Sequence, residues 1–111
     1  MAASPEFREF VIEQLSALGP VRIRAMFGGA GVFLHDVMFG LIADDVLYFK
    51  ADDTTASRFE AEGMTAFTYD GRGKSIVMTY WIVPDRLFDD VDEMTEWARQ
   101  AYDVALKSRK S

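Results

Sequence analysis

Glycine stands at three of the four positions from 28 to 31, inside the stretch Arg24-Ala25-Met26-Phe27-Gly28-Gly29-Ala30-Gly31, and this cluster limits the fold more than any other feature. Glycine is favoured where φ must be positive or where another segment crosses too closely for a Cβ. Ahead of the cluster, Val21-Arg22-Ile23-Arg24-Ala25 alternates apolar and basic, and behind it Val32-Phe33-Leu34 is again strand-like. The spacing predicts a strand, a glycine corner and a second strand. A phosphate loop would read differently: the dinucleotide fingerprint needs G-x-G-x-x-G opening a helix, and a P-loop ends in Gly-Lys-Ser/Thr. Here a strand follows, so Met26, Phe27, Gly28, Gly29 and Gly31 are expected to form a structural corner.

The flanking chain supplies the rest of the elements. Ser4, Pro5 and Glu6 suit the N-cap, first position and first turn of a helix. Its apolar stripe is Phe7, Phe10, Val11, Leu15 and Leu18, and Gly19-Pro20 should stop it. Val21 to Ala25 should be wet on its arginine face. Short turns at His35-Asp36 and Asp44-Asp45 divide Gly31–Leu34, Val37–Ala43 and Val46–Lys50 into an antiparallel meander, with the apolar Val37–Ala43 run suited to its centre. Asp52-Asp53 offers a cap for a short helix over Thr54–Glu62, anchored by Phe59 and ended by Gly63. Ala66–Tyr69 and Ser75–Val83 read as a hairpin around Asp70-Gly71-Arg72-Gly73-Lys74, and Arg86-Leu87-Phe88 as one helical turn after Pro84. Asp90 and Glu93 form a capping-box pattern for a last helix with Met94, Trp97, Ala98, Ala101 and Ala105 on its apolar face and a fraying tail from Lys107. The expected fold is two-layer α+β, an antiparallel sheet covered by helices in the order α-β-β-β-β-α-β-β-α. Residues 1–111 are expected to make one domain.

Composition narrows the chemistry. There is no cysteine, which removes disulfides, thiolate catalysis and cysteine-bound metal clusters. His35 is the sole histidine and sits beside Asp36 in a turn, so no metal site or general base is expected from it. The pairs Asp44-Asp45, Asp52-Asp53 and Asp89-Asp90 stand where turns and helix starts want Asp, and adjacent side chains point apart. No catalytic, cofactor-binding or metal-ligating residue is expected, and the chain reads as non-enzymatic. No apolar run reaches the roughly 20 residues of a membrane span, and Met1–Glu6 lacks the pattern of a secretory leader. A cytoplasmic, bacterial protein is the expectation.

Net charge is −6. Nucleic-acid affinity is built by neutralising phosphates with Lys and Arg, so direct binding of nucleic acid is disfavoured, with Arg22, Arg24, Arg72 and Lys74 the candidate basic patch. The acid-rich run Asp85–Glu96 reads as a solvated helix face or a docking surface for a basic partner. Tyr80-Trp81 lies in a strand whose alternate residues are apolar on both faces. One face is expected in the core and the other at an interface.

These residues resemble the N-terminal domain of the TfoX/Sxy regulators. The resemblance is carried by Leu18-Gly19-Pro20-Val21, Met26-Phe27-Gly28-Gly29 with Gly31, and Met38-Phe39-Gly40-Leu41-Ile42-Ala43. Leu47-Tyr48-Phe49-Lys50, Phe67-Tyr69, Tyr80-Trp81 and Val83-Pro84 follow in the family's order. The resemblance implies a secretion-chaperone-like α+β fold and a role in regulating DNA competence through a transcription regulator, with a homodimer as the expected assembly. In the namesake regulators this domain is joined to a C-terminal helical domain, and the protein promotes DNA-uptake genes with the cyclic-AMP receptor protein. The family has no catalytic residues to transfer. A small-ligand-binding domain is the remaining alternative.

Overall fold

The computed structural model describes residues 3–26, 28–71 and 74–110, with side chains throughout except at 69–71, 74–78 and 110. Ser4 opens α1 (Pro5–Gln14), its hydroxyl accepting from the Phe7 N–H at 3.2 Å. The helix stops earlier than Gly19: from Leu15 the chain tightens into i→i+3 bonds, Ser16 to Glu13 and Leu18 to Leu15, which satisfy carbonyls the helix would leave open. Phe7, Val11, Leu15 and Leu18 turn inward, but Phe10 does not. It lies at the border of the stripe, 39% exposed, and stacks on Phe88 at 5.4 Å.

Six strands form one antiparallel sheet: β1 (Arg22–Met26), β2 (Gly29–Leu34), β3 (Val37–Ala43), β4 (Val46–Lys50), β5 (Ala66–Gly71) and β6 (Lys74–Ile82), ordered β1-β2-β3-β4-β6-β5. The turns His35-Asp36 and Asp44-Asp45 hold positive φ at both residues, the two-residue geometry whose twist matches flanking strands. Between α2 (Ala56–Ala61) and the 3₁₀ turn Asp85–Asp89 runs the β5–β6 hairpin, and α3 (Val91–Lys110) closes the fold. The α+β order expected from the sequence is the order observed.

Boundaries differ where local bonding won. Asp52 does not cap α2 directly; its carboxylate accepts from the N–H groups of Thr54 (3.1 Å) and Thr55 (2.9 Å), an Asx turn that delays the helix to Ala56. Asp90 accepts from the Glu93 N–H at 3.0 Å, but the box is half-made: the Asp90 N–H donates to Leu87 and the Glu93 carboxylate goes to Arg86 and Trp97. The helix α3 extends to Lys110, past Lys107.

The core lies between one sheet face and the helices. In β3 the pairing slips from Val32↔Gly40 to Phe33↔Met38, leaving Phe39 without a partner across β2. That bulge puts two consecutive residues on the same side. Val37 and Phe39 therefore face the helices on one side of the bulge, and Gly40 and Ile42 on the other. Phe39, Ile42, Leu47 and Phe49 meet Met94, Trp97, Ala98 and Ala101 of α3, all buried. Phe59, the expected anchor of α2, is buried edge-on to Trp97 at 5.0 Å. Ala25 faces the same side as Ile23 but is exposed, because β1 is the edge strand.

Candidate functional site

Residues directly opposite in neighbouring strands share a face, so the register builds the other side of the sheet residue by residue. Arg22 pairs with Phe33 and Phe33 with Met38. Arg24 pairs with Gly31, Gly31 with Leu41, Leu41 with Tyr48, and Tyr48 with Ile82. Lys50 pairs with Tyr80, and Phe67 meets Tyr48 edge-on at 5.1 Å. Among the described residues, none of these apolar side chains belongs to the helix-packed core or to the partly buried set around it. The sheet is covered on one face and open on the other.

The glycine corner shapes the end of this face. Gly28 holds φ +77, the left-handed region that a Cβ disfavours. A Cβ on Gly29 would collide with the carbonyl oxygen of Ile42 in β3, so β2 enters the sheet only with glycine there. Phe27 lies outside the described residues. The chemistry of the open face is unusual for a chain with this acid excess. Its charged residues by register are Arg22, Arg24 and Lys50, with no acid among the described positions; the acids sit in the turns, at Asp36, Asp44 and Asp45. Two of these three cations rest near a ring, with the Arg24 guanidinium 5.5 Å from Phe33 and the Lys50 ammonium 5.3 Å from Tyr80. Lys50 also donates to the Thr79 hydroxyl at 2.6 Å. Burial holds the Lys50 ammonium below the usual lysine range. Burial likewise raises the phenols of Tyr48, with Asp44 adding to it, and of Tyr80. At one rim the face runs into a groove of about 300 Å³ bordered by Phe33, Met38, Lys50, Tyr80, Asp36 and Arg109.

The sequence-derived candidates fall in different places. Tyr80 lies on the open face, while Trp81 lies on the core side against Phe59, ring centres 6.2 Å apart. Arg22 and Arg24 stand on edge strand β1, whereas Lys74 begins β6 with β2, β3 and β4 in between. Strands are spaced about 4.8 Å apart, so that order does not gather Lys74 beside the two arginines. Arg72 lies outside the described residues. His35 sits in its turn, 6.5 Å from the Tyr102 ring. No group of three or more His, Cys, Asp or Glu is assembled among the described residues as a metal would require.

In the acid-rich stretch Glu93 and Glu96 are engaged in ion pairs and Asp90 in a helix cap. Arg86 bonds Glu62 (2.5 Å) and Glu93 (2.8 Å), and both carboxyls are held below the usual glutamate range by those hydrogen bonds. Arg58 bonds Glu96 at 3.1 Å and lies 4.1 Å from the Trp97 ring. A polar cleft of about 360 Å³ beside it mixes Asp52, Glu96 and Asp103 with Arg99 and Lys107, so neither sign has the face to itself.

Sequence reasoning missed Phe33, Met38, Leu41, Tyr48 and Lys50 as a group. The alternation Val46, Tyr48, Lys50 against Leu47, Phe49 contained a signal, but rings on both sides hid which face was covered.

Fold and face together define a two-layer α+β protein with a helical layer on one side of its sheet and an apolar, basic surface on the other. The family model for the TfoX N-terminal domain matches residues 13–105, and the chain belongs to that family. It is similar to Protein Sxy of Escherichia coli (strain K12), 25% identical over 99 residues that cover 89% of this chain and 47% of Sxy. It is also similar to DNA transformation protein TfoX1 of Aliivibrio fischeri (strain ATCC 700601 / ES114), 34% identical over 68 residues covering 61% of this chain and 32% of that protein. The chain thus spans half or less of the length of these relatives. No helix among the described residues is long and apolar enough to cross a membrane.

Proposed function

We propose that this chain is one non-enzymatic regulatory domain that acts by protein–protein contact, in the cytoplasm, within the control of DNA uptake. The observation that carries the reading is the uncovered sheet face. A contiguous apolar surface on a water-exposed protein marks an interaction site more often than a packing defect, and rings beside arginine are the residue types enriched where binding energy concentrates. Family membership supports this pathway: TfoX1 is named for DNA transformation, and the family resemblance points to a transcription regulator as the partner.

The test is affinity capture from the protein's own cell lysate with nuclease present, comparing the natural chain with Tyr48→Asp. A transcription regulator should be retained through nuclease and lost with Tyr48→Asp. An identical set of proteins on both baits, or a set that vanishes with nuclease, would overturn contact through this face. Direct nucleic-acid binding through Arg22 and Arg24 is the competing reading. It requires an affinity for DNA that falls steeply with salt.

A further inference from the structure

We infer that the open sheet face receives an acidic, apolar peptide segment of its partner, laid across β1–β4 with carboxylates against Arg22, Arg24 and Lys50. The inference rests on the protein-contact reading and adds the chemistry of the occupant. Charge segregation argues for it. The chain has 18 acids against 12 Lys and Arg, yet the described positions of this face hold cations and no acid. A second copy docked face to face would bring arginines and lysines toward their like, and like charges across an interface cost specificity and affinity. A basic segment would meet the same repulsion. An acidic one relieves it.

The environment of Lys50 points the same way. Among the described residues no carboxylate stands within salt-bridge distance of its ammonium, which has only the Thr79 hydroxyl and the Tyr80 ring for company. A partly desolvated cation without a counter-ion gains from an anion delivered by a partner. The rim groove between Lys50 and Arg109 is wide enough to admit a side chain, and it holds one acid, Asp36, against those two cations. The apolar share of the occupant would lie over Phe33, Met38, Leu41 and Tyr48. Nucleic acid fits less well. It would set a continuous row of phosphates against a molecule of net charge −6, whereas a peptide sets its few charges only where the cations are.

The experiment pans a random twelve-residue peptide display library on the full chain, with counter-selection on the Tyr48→Asp variant. Enriched peptides should be net negative and carry aliphatic or aromatic residues. A synthetic copy of one should bind with anisotropy-measured affinity weakened about two- to fivefold by Arg24→Glu and by Lys50→Glu, the range expected of exposed charge pairs. Its amide NMR footprint should fall on β1–β4. Neutral or basic enriched peptides, or affinities unmoved by both charge reversals, would overturn the inference. So would a labelled oligo-dT twelve-mer binding more tightly than any peptide, or a dimer that buries this face in sedimentation analysis. Lysate capture lost with Tyr48→Asp but unchanged by the charge reversals would leave the protein-contact reading standing and sink this one.

Discussion

At the scale of single residues, the glycine corner shows two separate reasons for one residue type. Gly28 answers a backbone angle and Gly29 answers a neighbour's carbonyl oxygen. Gly29→Ala forces β2 away from β3 and should cost about 1–3 kcal/mol. Gly28→Ala pays only the left-handed penalty, about 1–2 kcal/mol, and Gly28→Asn should cost less than Gly28→Ala. Urea midpoints at unchanged slope would rank the three. Arg86 is the second telling residue, because two carboxylates depend on it. Glu62 and Glu93 are held below their ordinary range, so their contribution is fully present above the unfolded glutamate value. It is lost as pH falls through the lowered folded values. Arg86→Met should therefore flatten the loss of stability between about pH 5 and pH 2, read as a smaller shift in melting temperature across that window. An acid limb of unchanged slope would show that Arg86 does not carry it.

At the scale of elements, α3 is the one on which the core depends. Its stripe of Met94, Trp97, Ala98 and Ala101 is bulky only at Met94 and Trp97, and the Trp97 ring is the one that packs edge-on against Phe59 of α2. Trp97→Ala should destabilise by about 3–5 kcal/mol through the cavity it leaves. Trp97→Phe keeps most of the packing and loses the indole N–H bond to Glu93, 3.2 Å in the native protein, at about 1 kcal/mol. The exposed neighbour offers the control: Glu96→Gln should stay within about 0.5 kcal/mol. Chemical denaturation of the three variants would check the order. If Trp97→Ala matched Glu96→Gln, the ring would not be the keystone of the helical layer.

At the scale of the whole molecule, consecutive residues of β4 have opposite duties. Tyr48 belongs to the open face and Phe49 to the core, where it is fully buried. Phe49→Asp puts a charge among Ile42, Leu47 and Phe39 and should leave no folded population, a cost beyond about 4 kcal/mol. Tyr48→Asp loses an edge-on ring contact with Phe67 and should cost about 1 kcal/mol, with the fold intact by circular dichroism. Equal loss at both positions would mean that the open face is packed after all. The same asymmetry explains what could be read in advance. The starts of α1 and α3, the two hairpin turns and the Phe59 anchor were legible because capping and turn chemistry act within a few residues, whereas the Asx turn at Asp52 moved the start of α2. The half-made capping box was not, because Arg86 and Trp97 compete for Glu93.

What the chain alone determined is its sequence of elements and its family. Ser4, the paired turn residues, the glycine corner and the periodicity of α3 are local instructions, and the motifs from Met26 to Pro84 are contiguous in order. What only the tertiary structure decided is which apolar face the helices cover, and hence which residues are left for a partner. β3, β4 and β6 carry apolar side chains on both sides, so burial could not be assigned strand by strand. The bulge at Phe39 and the placement of every helix on one side made that choice. Strand order likewise kept Lys74 apart from Arg22 and Arg24, since the distance between residues on a sheet is set by pairing and not by position along the chain.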